Sequence, residues 1–389
     1  MATPDEQLAL LRRGAAKIVS EQELLVRLKE GRPLRVKLGV DPTAPDIHLG
    51  HTVAMEKLRQ FQELGHIAVL IIGDFTAMIG DPTGRSAARP PLTHDEIMRN
   101  AETYTNQAFK ILDRNRTETV YNGQWLRSMA FADIIKLCSQ VTLQQMLQRE
   151  DFRSRINEAV EVRLHEILYP VMQGWDSVET RADVELGGSD QLFNILVGRD
   201  LQRAAGLPPQ IVLLVPLLEG TDGTAKMSKS AGNYIGVDEP ASEIFGKTMS
   251  ISDELMARWY VTLVGDELGE KSNPMEAKMN LAEQLAERFA GSEAAAKART
   301  DWEARFCRKN LESAELPYFS PPPDASPIAI ISAAYSTLGQ KKSNSDIRRL
   351  LEQGSIQLDG EKLNDTQKSP CFRPGAVLRL DKKHAVRVK

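Results

Sequence analysis

The chain has 389 residues, 42% hydrophobic and 26% charged, with a formal net charge of −4. That length supports two or three domains around a large core, and the balance is that of an ordinary globular protein. The start, Met-Ala-Thr-Pro-Asp-Glu-Gln, lacks the basic and apolar pattern of a secretory signal, and the longest apolar run, Ile67 to Ile72, is too short to cross a bilayer. Cys138, Cys307 and Cys371 are scattered, without CxxC spacing or a nearby His cluster. This argues against structural zinc and a disulfide framework, and fits a reducing cytoplasm.

In chain order, residues 1–30 carry Leu8, Leu10, Leu11 and then Leu24, Leu25, Leu28 at helical spacing. Arg35–Val40 reads as a strand ending in the turn Asp41-Pro42-Thr43-Ala44-Pro45. Thr52 to Leu64 reads as a helix, with Val53, Leu58, Phe61 and Leu64 on one face and Gly65 as its stop. Ile67–Ile72 has the β-branched content of a strand buried on both faces. Strand, helix, strand in this order predicts a parallel α/β sheet, whose ligands sit at the carboxyl ends of the strands. Asp41–His51 and Gly73–Arg89 fall there. Helical text runs from about His94 to Gln148 and from Ile156 to Gln173. Asp183–Leu186 and Ile211–Leu218 read as further strands. Pro240 to about Asn310 is helical text, and Pro321-Pro322-Pro323 marks a stiff linker. From Ser326 to the end, twelve basic side chains face six acidic ones, so a basic tail follows an acidic body.

Two short motifs carry chemistry. His48-Leu49-Gly50-His51 opens a helix, whose N-terminus attracts anions. Lys226-Met227-Ser228-Lys229-Ser230 lies in a Gly-rich loop after a buried strand, where two ammonium groups can close over a triphosphate. Alone, a His-x-x-His pair is more often packing, and a Lys-rich loop is usually solvated. Both together, in this order, resemble the HIGH and KMSKS signatures of the class I aminoacyl-tRNA synthetases. The second matches letter for letter, and the first has Leu in its second place.

The chain is similar over nearly its whole length to bacterial tyrosyl-tRNA synthetases. The resemblance implies a Rossmann-like parallel-sheet nucleotide-binding domain over 1–235, with a helical insertion near 120–170. An α-helical anticodon-binding domain over 236–320, a Pro-rich linker over 321–326 and a small α+β S4-like RNA-binding domain over 327–389 would follow. The implied reaction has the carboxylate of L-tyrosine attack the α-phosphorus of ATP, which enters with Mg2+ and without a dedicated protein metal site. Tyrosine then passes to tRNA(Tyr). Such chemistry asks for positioning and charge stabilisation, not a general base.

Thr43 and His48 would contact the terminal phosphates, with His51 on the ribose or α-phosphate side. Gly50 would admit the adenine ring. Lys226 and Lys229 would hold the β- and γ-phosphates, and Met227, Ser228 and Ser230 complete that loop. The segment Tyr169-Pro170-Val171-Met172-Gln173-Gly174-Trp175-Asp176 is similar to the family's tyrosine-pocket helix. Tyr169 and Gln173 share a face and, with Asp81, would hold the α-amino group. Asp176 would accept the phenolic hydrogen. Asp190 resembles a ribose-binding Asp, Gln191 a carboxylate-side Gln, and Gly39, Asp41 and Thr43 a first-strand loop. Arg85 and Arg89 stand where the family has mobile-loop basic residues facing pyrophosphate.

Two positions depart from the family: Lys37, where better-known members carry Tyr, and Glu185, where Gln is expected. The tail segments Ser345–Leu351 and Gly354–Gly360 are similar to an S4 module, with Lys341, Lys342, Arg348, Arg349 and Lys362 suited to RNA phosphates. The resemblance also implies a homodimer, with its interface around residues 125–165. Two alternatives remain open from sequence. One is the same chemistry on tryptophan, opposed by Asp176 and the tail. The other is an RNA-binding protein retaining an inactive synthetase fold.

Overall fold

The computed structural model describes every residue except 1, 84–91, 266–272, 307–315, 324, 364–369, 371 and 382–383. The chain forms two compact units, Met1–Leu285 and Ala286–Lys389. Their boundary falls inside the helix Pro274–Ala290, within the stretch that sequence reading treats as one helical domain.

The first unit is built on a six-stranded sheet of β1 (Lys17–Val19), β2 (Arg35–Val40), β3 (Ile67–Ile72), β4 (Thr117–Tyr121), β5 (Val184–Gly188) and β6 (Ile211–Val215). Their spatial order is β1-β6-β5-β2-β3-β4. All neighbours run parallel except β1, which lies antiparallel to β6. The strand order reverses between β2 and β5, and their carboxyl ends open the crevice where doubly wound sheets take ligands. Gly39 shows that opening. Although it lies in the central strand, it is exposed, and a Cβ there would meet nothing within 4 Å.

Two strands lie where the sequence reads as helix. Lys17–Val19 is too short to impose a period of its own and is fixed by pairing Ile18 opposite Leu213. Thr117–Tyr121 carries the alternating β-branched residues of an edge strand, paired to β3, but long helical text flanks it. The helix Leu49–Glu63 buries Leu49, Val53, Met55, Leu58 and Phe61. It is followed by Gly65 at φ +95°, a left-handed conformation that glycine adopts without steric cost. Between β4 and β5 lie short helices and the long helix Leu164–Glu179. The latter packs Val171 on Leu137, Met146, Val197 and Leu201.

In the second unit the strands are β7 (Tyr318–Phe319), β8 (Gln357–Leu358), β9 (Glu361–Lys362), β10 (Val377–Arg379) and β11 (Ala385–Val388), in the order β7-β11-β10-β8-β9. The helices Pro327–Thr337 and Asn344–Glu352 contribute Ile330, Ile331, Tyr335, Ile347 and Leu351 to a core shared with Leu378 and Val386.

Candidate active site

Both sequence motifs border the crevice, and backbone pairing ties them together. Leu49 donates its N–H to the Ile235 carbonyl at 3.0 Å, and Val237 donates to Ile47 at 3.0 Å. A β-bridge joins His48 to Gly236. The start of the first-motif helix is thus one register with the chain leaving the second motif.

His48 is the N-cap of its helix. Its Nδ1 accepts from the Gly50 N–H, and the His51 Nδ1 accepts from the His48 N–H, each at 3.2 Å. The rings stack with centroids 3.8 Å apart. Burial, reinforced by Lys226 and Lys229, lowers His48 to a pKa of about 4. Burial beside His48 holds His51 well below the usual histidine range. Near neutral pH both rings are therefore uncharged, with Nδ1 used as acceptor and the proton on Nε2. Each ring thus offers an Nε2–H donor and no positive charge. The space beside Gly50 is taken by the His48 ring: a Cβ there would lie 3.0 Å from it and 3.5 Å from Met227. The glycine lets the cap imidazole fold down.

The second motif is latched. Lys226 pairs with Asp190 at 2.6 Å, and Lys229 with Asp46. Sequence reading presents both ammonium groups as open to a triphosphate, but each holds a carboxylate, and Lys226 occupies the acid expected to receive the ribose. Asp46 carries no motif signal and is missed from sequence. Met227 is buried and donates its N–H to the Leu218 carbonyl, and the Ser228 and Ser230 hydroxyls lie 3.3 Å apart. Thr43 lies in the turn after β2, where its N–H donates to the Asp41 carbonyl at 2.7 Å.

Around β2 and β5 a chain of polar side chains is joined by hydrogen bonds. Lys37 and Glu185, the two departures from the family pattern, are cross-strand partners in the β2–β5 ladder. Their side chains form an ion pair at 3.0 Å and are almost wholly buried. Lys37 also donates to the Gln173 carbonyl at 2.9 Å and the Ser177 hydroxyl at 2.8 Å, so its three N–H groups all have acceptors. Glu185 accepts from Ser177, Gln210 and the Gln173 amide. The two positions form one buried pair.

From Gln173 the network continues through Asn194 to Gln191, at 2.9 and 3.0 Å. Gln191 donates to Asp81 at 2.8 Å. Thr83 caps the other Asp81 oxygen and accepts from the buried Arg149 at 2.6 Å. The Tyr169 hydroxyl donates to Asp41 at 3.0 Å, and Thr76 donates to the second Asp41 oxygen. Thus the structure joins Asp81 to Gln191 and Tyr169 to Asp41, within the group expected to surround an amino acid. Arg149, Asn194 and Thr83 are missed from sequence because no motif marks them.

Asp176 sits at the base of this half. Trp125 Nε1 donates to it at 2.9 Å and the Asn122 amide at 3.2 Å. Burial raises its carboxyl to about 7, against the opposing pull of Lys37 and these donors. Each oxygen has one donor and a further lone pair to offer. Asn122 and Trp125 were also not singled out, since they follow the unrecognised β4.

Arg85 and Arg89 lie outside the described residues. Lys341, Lys342, Arg348, Arg349 and Lys362 are exposed in the second unit, with Arg349 paired to Asp346. Among the described residues no group of three His, Cys, Asp or Glu side chains gathers as a metal site. Among them, too, no helix is long and apolar enough to cross a membrane.

The family described as tRNA synthetases class I (W and Y) matches residues 29–307. A tyrosine–tRNA ligase of Oleidesulfovibrio alaskensis is 48% identical, covering 99% of this chain and 98% of its own. The chain belongs to the tyrosine–tRNA ligases. A second member, from Aquifex aeolicus, is 44% identical over 99% of each chain. The fold also matches a tyrosyl-tRNA synthetase from Archaeoglobus fulgidus, solved with L-tyrosine. The TM-score is 0.61 at 23% identity, over 76% of this chain and 99% of that one. Full-length likeness to tyrosine–tRNA ligases sets the tryptophan alternative aside. The enzyme is an aminoacyl-tRNA synthetase.

Proposed function

We propose that this crevice activates L-tyrosine with ATP and Mg2+ and passes the tyrosyl group to the 3′-terminal adenosine of tRNA(Tyr). The observation that carries the proposal is the backbone register between Ile47–Leu49 and Ile235–Val237. It ties the helix start that carries His48 and His51 to the chain leaving the Lys226–Ser230 loop, and both lysines are near enough to depress the two imidazoles. Tyrosine enters between Asp176 and the Asp81–Gln191 pair. Its phenol donates to Asp176, and its ammonium group takes the carboxylate of Asp81, with Tyr169 and Gln173 beside it. Gln191 and the Gly39–Asp41–Thr43 turn flank the reacting carboxylate. An apolar ring would leave Asp176 buried without the phenol donor, which disfavours phenylalanine.

ATP brings its ribose to Asp190, which displaces Lys226. The freed Lys226, together with Lys229, Thr43 and His48, then stabilises the charge that builds on the leaving pyrophosphate, with His51 towards the α-phosphate. The site has no step for a general base. Magnesium arrives with the nucleotide. Arg85 and Arg89 belong to the pyrophosphate side of the same proposal.

The remaining assignments extend it. The basic residues of the second unit take tRNA phosphates in an S4-like module, supported by the way Asn344–Glu352 buries Ile347 and Leu351 while exposing Arg348 and Arg349. Residues 236–320 serve the anticodon arm. Two copies pair through the helical insertion, supported by exposed Phe131, Ile135, Leu143 and Leu164 there. The setting is cytoplasmic. ATP–pyrophosphate exchange with each of the twenty amino acids tests the reaction. Exchange with tyrosine alone is expected; exchange with none overturns the enzymatic reading of the isolated chain.

A further inference from the structure

The signature loop has an organiser outside the signature. Asn233 follows the pentapeptide by three residues and is buried. Its Oδ1 accepts the Ser228 N–H at 2.8 Å, at the centre of the motif. Its Nδ2 donates to Asp222 Oδ2 at 2.8 Å and to the Lys226 carbonyl at 3.3 Å. One carboxamide therefore braces the backbone on both sides of Met227 and joins it to the entry of the loop. Asp222 is bound in turn, accepting the N–H groups of Thr224 at 3.0 Å and Ala225 at 3.1 Å. The fit is close. Thr221 donates to the Asn233 carbonyl at 2.9 Å, and a Cβ on Gly220 would fall 2.2 Å from the Asn233 Cγ.

These bonds need one acceptor and one donor on the same planar group, a demand that only Asn or Gln meets and that the tight space restricts to Asn. The lysine ammonium groups are tied by partly exposed ion pairs, which exchange partners readily, and Lys229 also lies 5.7 Å from the Tyr234 ring centroid. The backbone is held by the Met227–Leu218 bond and the Glu219–Lys226 bridge, and Asn233 is the side chain that braces it on both sides of Met227. We propose that Asn233 is the positioning residue that fixes the loop backbone from which Lys226 and Lys229 reach the triphosphate, with Asp222 as its partner. The proposal rests on the reading of this loop as the phosphate-closing element and names the group that shapes it.

The test is tyrosine-dependent ATP–pyrophosphate exchange in Asn233→Asp, Asp222→Asn and the double variant, beside tyrosine binding read from tryptophan fluorescence. In N233D an oxygen replaces the donor and faces both a carboxylate and a carbonyl. Its kcat for exchange is expected to fall about 100-fold, the size of losing one preorganised transition-state donor. The KM and Kd for tyrosine stay within about twofold, because that pocket lies on the opposite side of the crevice. Combining D222N with N233D restores the donor–acceptor pair with reversed polarity and recovers at least tenfold. Wild-type exchange in N233D, equal loss of tyrosine binding and exchange, or no recovery in the double variant overturns the proposal. Should N233D fail to fold, D222N alone decides: a kcat loss of about tenfold with unchanged tyrosine Kd supports it, and an unchanged kcat overturns it. Exchange by the wild-type protein separates this question from the reading of the site, which fails only if the wild type is inert.

Discussion

The two halves of the crevice are held together in opposite ways. On the amino-acid side, a continuous network runs from Lys37 through Glu185, Gln173, Asn194, Gln191, Asp81 and Thr83 to Arg149, and much of it is out of reach of water. On the nucleotide side, Lys226 and Lys229 rest on Asp190 and Asp46 through pairs that solvent can reach. The first arrangement favours discrimination, because a buried donor or acceptor left unpaired is costly. The second favours motion, because a solvated ion pair contributes only about 0–1 kcal/mol and can be exchanged for a phosphate. Under the proposed function, rigidity lies where the enzyme chooses its amino acid, and loose attachment where it closes on ATP and releases product.

The contrast breaks most severely at Lys37. Lys37→Met leaves Glu185 buried without its cation, which is expected to cost about 3–5 kcal/mol of stability. Urea unfolding of K37M measures it, and K37M/E185Q should regain most of the loss. A K37M protein as stable as the wild type would deny the network its structural weight.

His48 tests the nucleotide side. His48→Ala removes both the helix cap and an uncharged donor, and should lower the exchange kcat by about 10²–10³-fold. His48→Asn restores a cap and an N–H donor and should recover part of that loss. A positively charged substitute that outperformed Asn would contradict the neutral-donor role.

A third effect concerns pH. The Asp176 carboxyl sits at about 7, above its ordinary value, so the folded protein binds a proton there that the unfolded chain has already released. The stability from that proton is complete below the ordinary carboxylate range and is lost as pH rises through about 7. The anion able to accept a phenol appears over the same interval. The KM for tyrosine should therefore fall about tenfold between one pH unit below that pKa and one above it. A KM flat across neutrality would show that Asp176 does not set the affinity.

The smallest expected effect is at the latch. Asp46→Asn frees Lys229 from a half-exposed partner and should improve the KM for ATP by at most about fivefold, with tyrosine affinity unchanged. A large loss of activity would make Asp46 part of the reacting site and not a resting place for the loop.

Much of this was legible in the sequence, and the unread parts have a common cause. β2, β3 and β6 were visible because buried parallel strands are written as apolar runs, and the helix Leu49–Glu63 because its cap, apolar face and Gly65 are all local. The Lys17–Val19 and Thr117–Tyr121 strands were not, since their pairing partners lie far along the chain. In the candidate site, the sequence singles out residues inside recognisable motifs. Asp46, Asn122, Trp125, Arg149 and Asn194 were missed because each matters through a neighbour that sequence separation conceals. Lys37 and Glu185 were noticed as separate anomalies, and only the β2–β5 register revealed them as a pair.

That pairing also bears on which changes the chain tolerates. Replacing either residue alone leaves a bare charge in the core beside Gln173 and Ser177. Only a joint replacement, or surplus stability elsewhere, spares the fold that cost. Each member of the pair is thus held in place by the other.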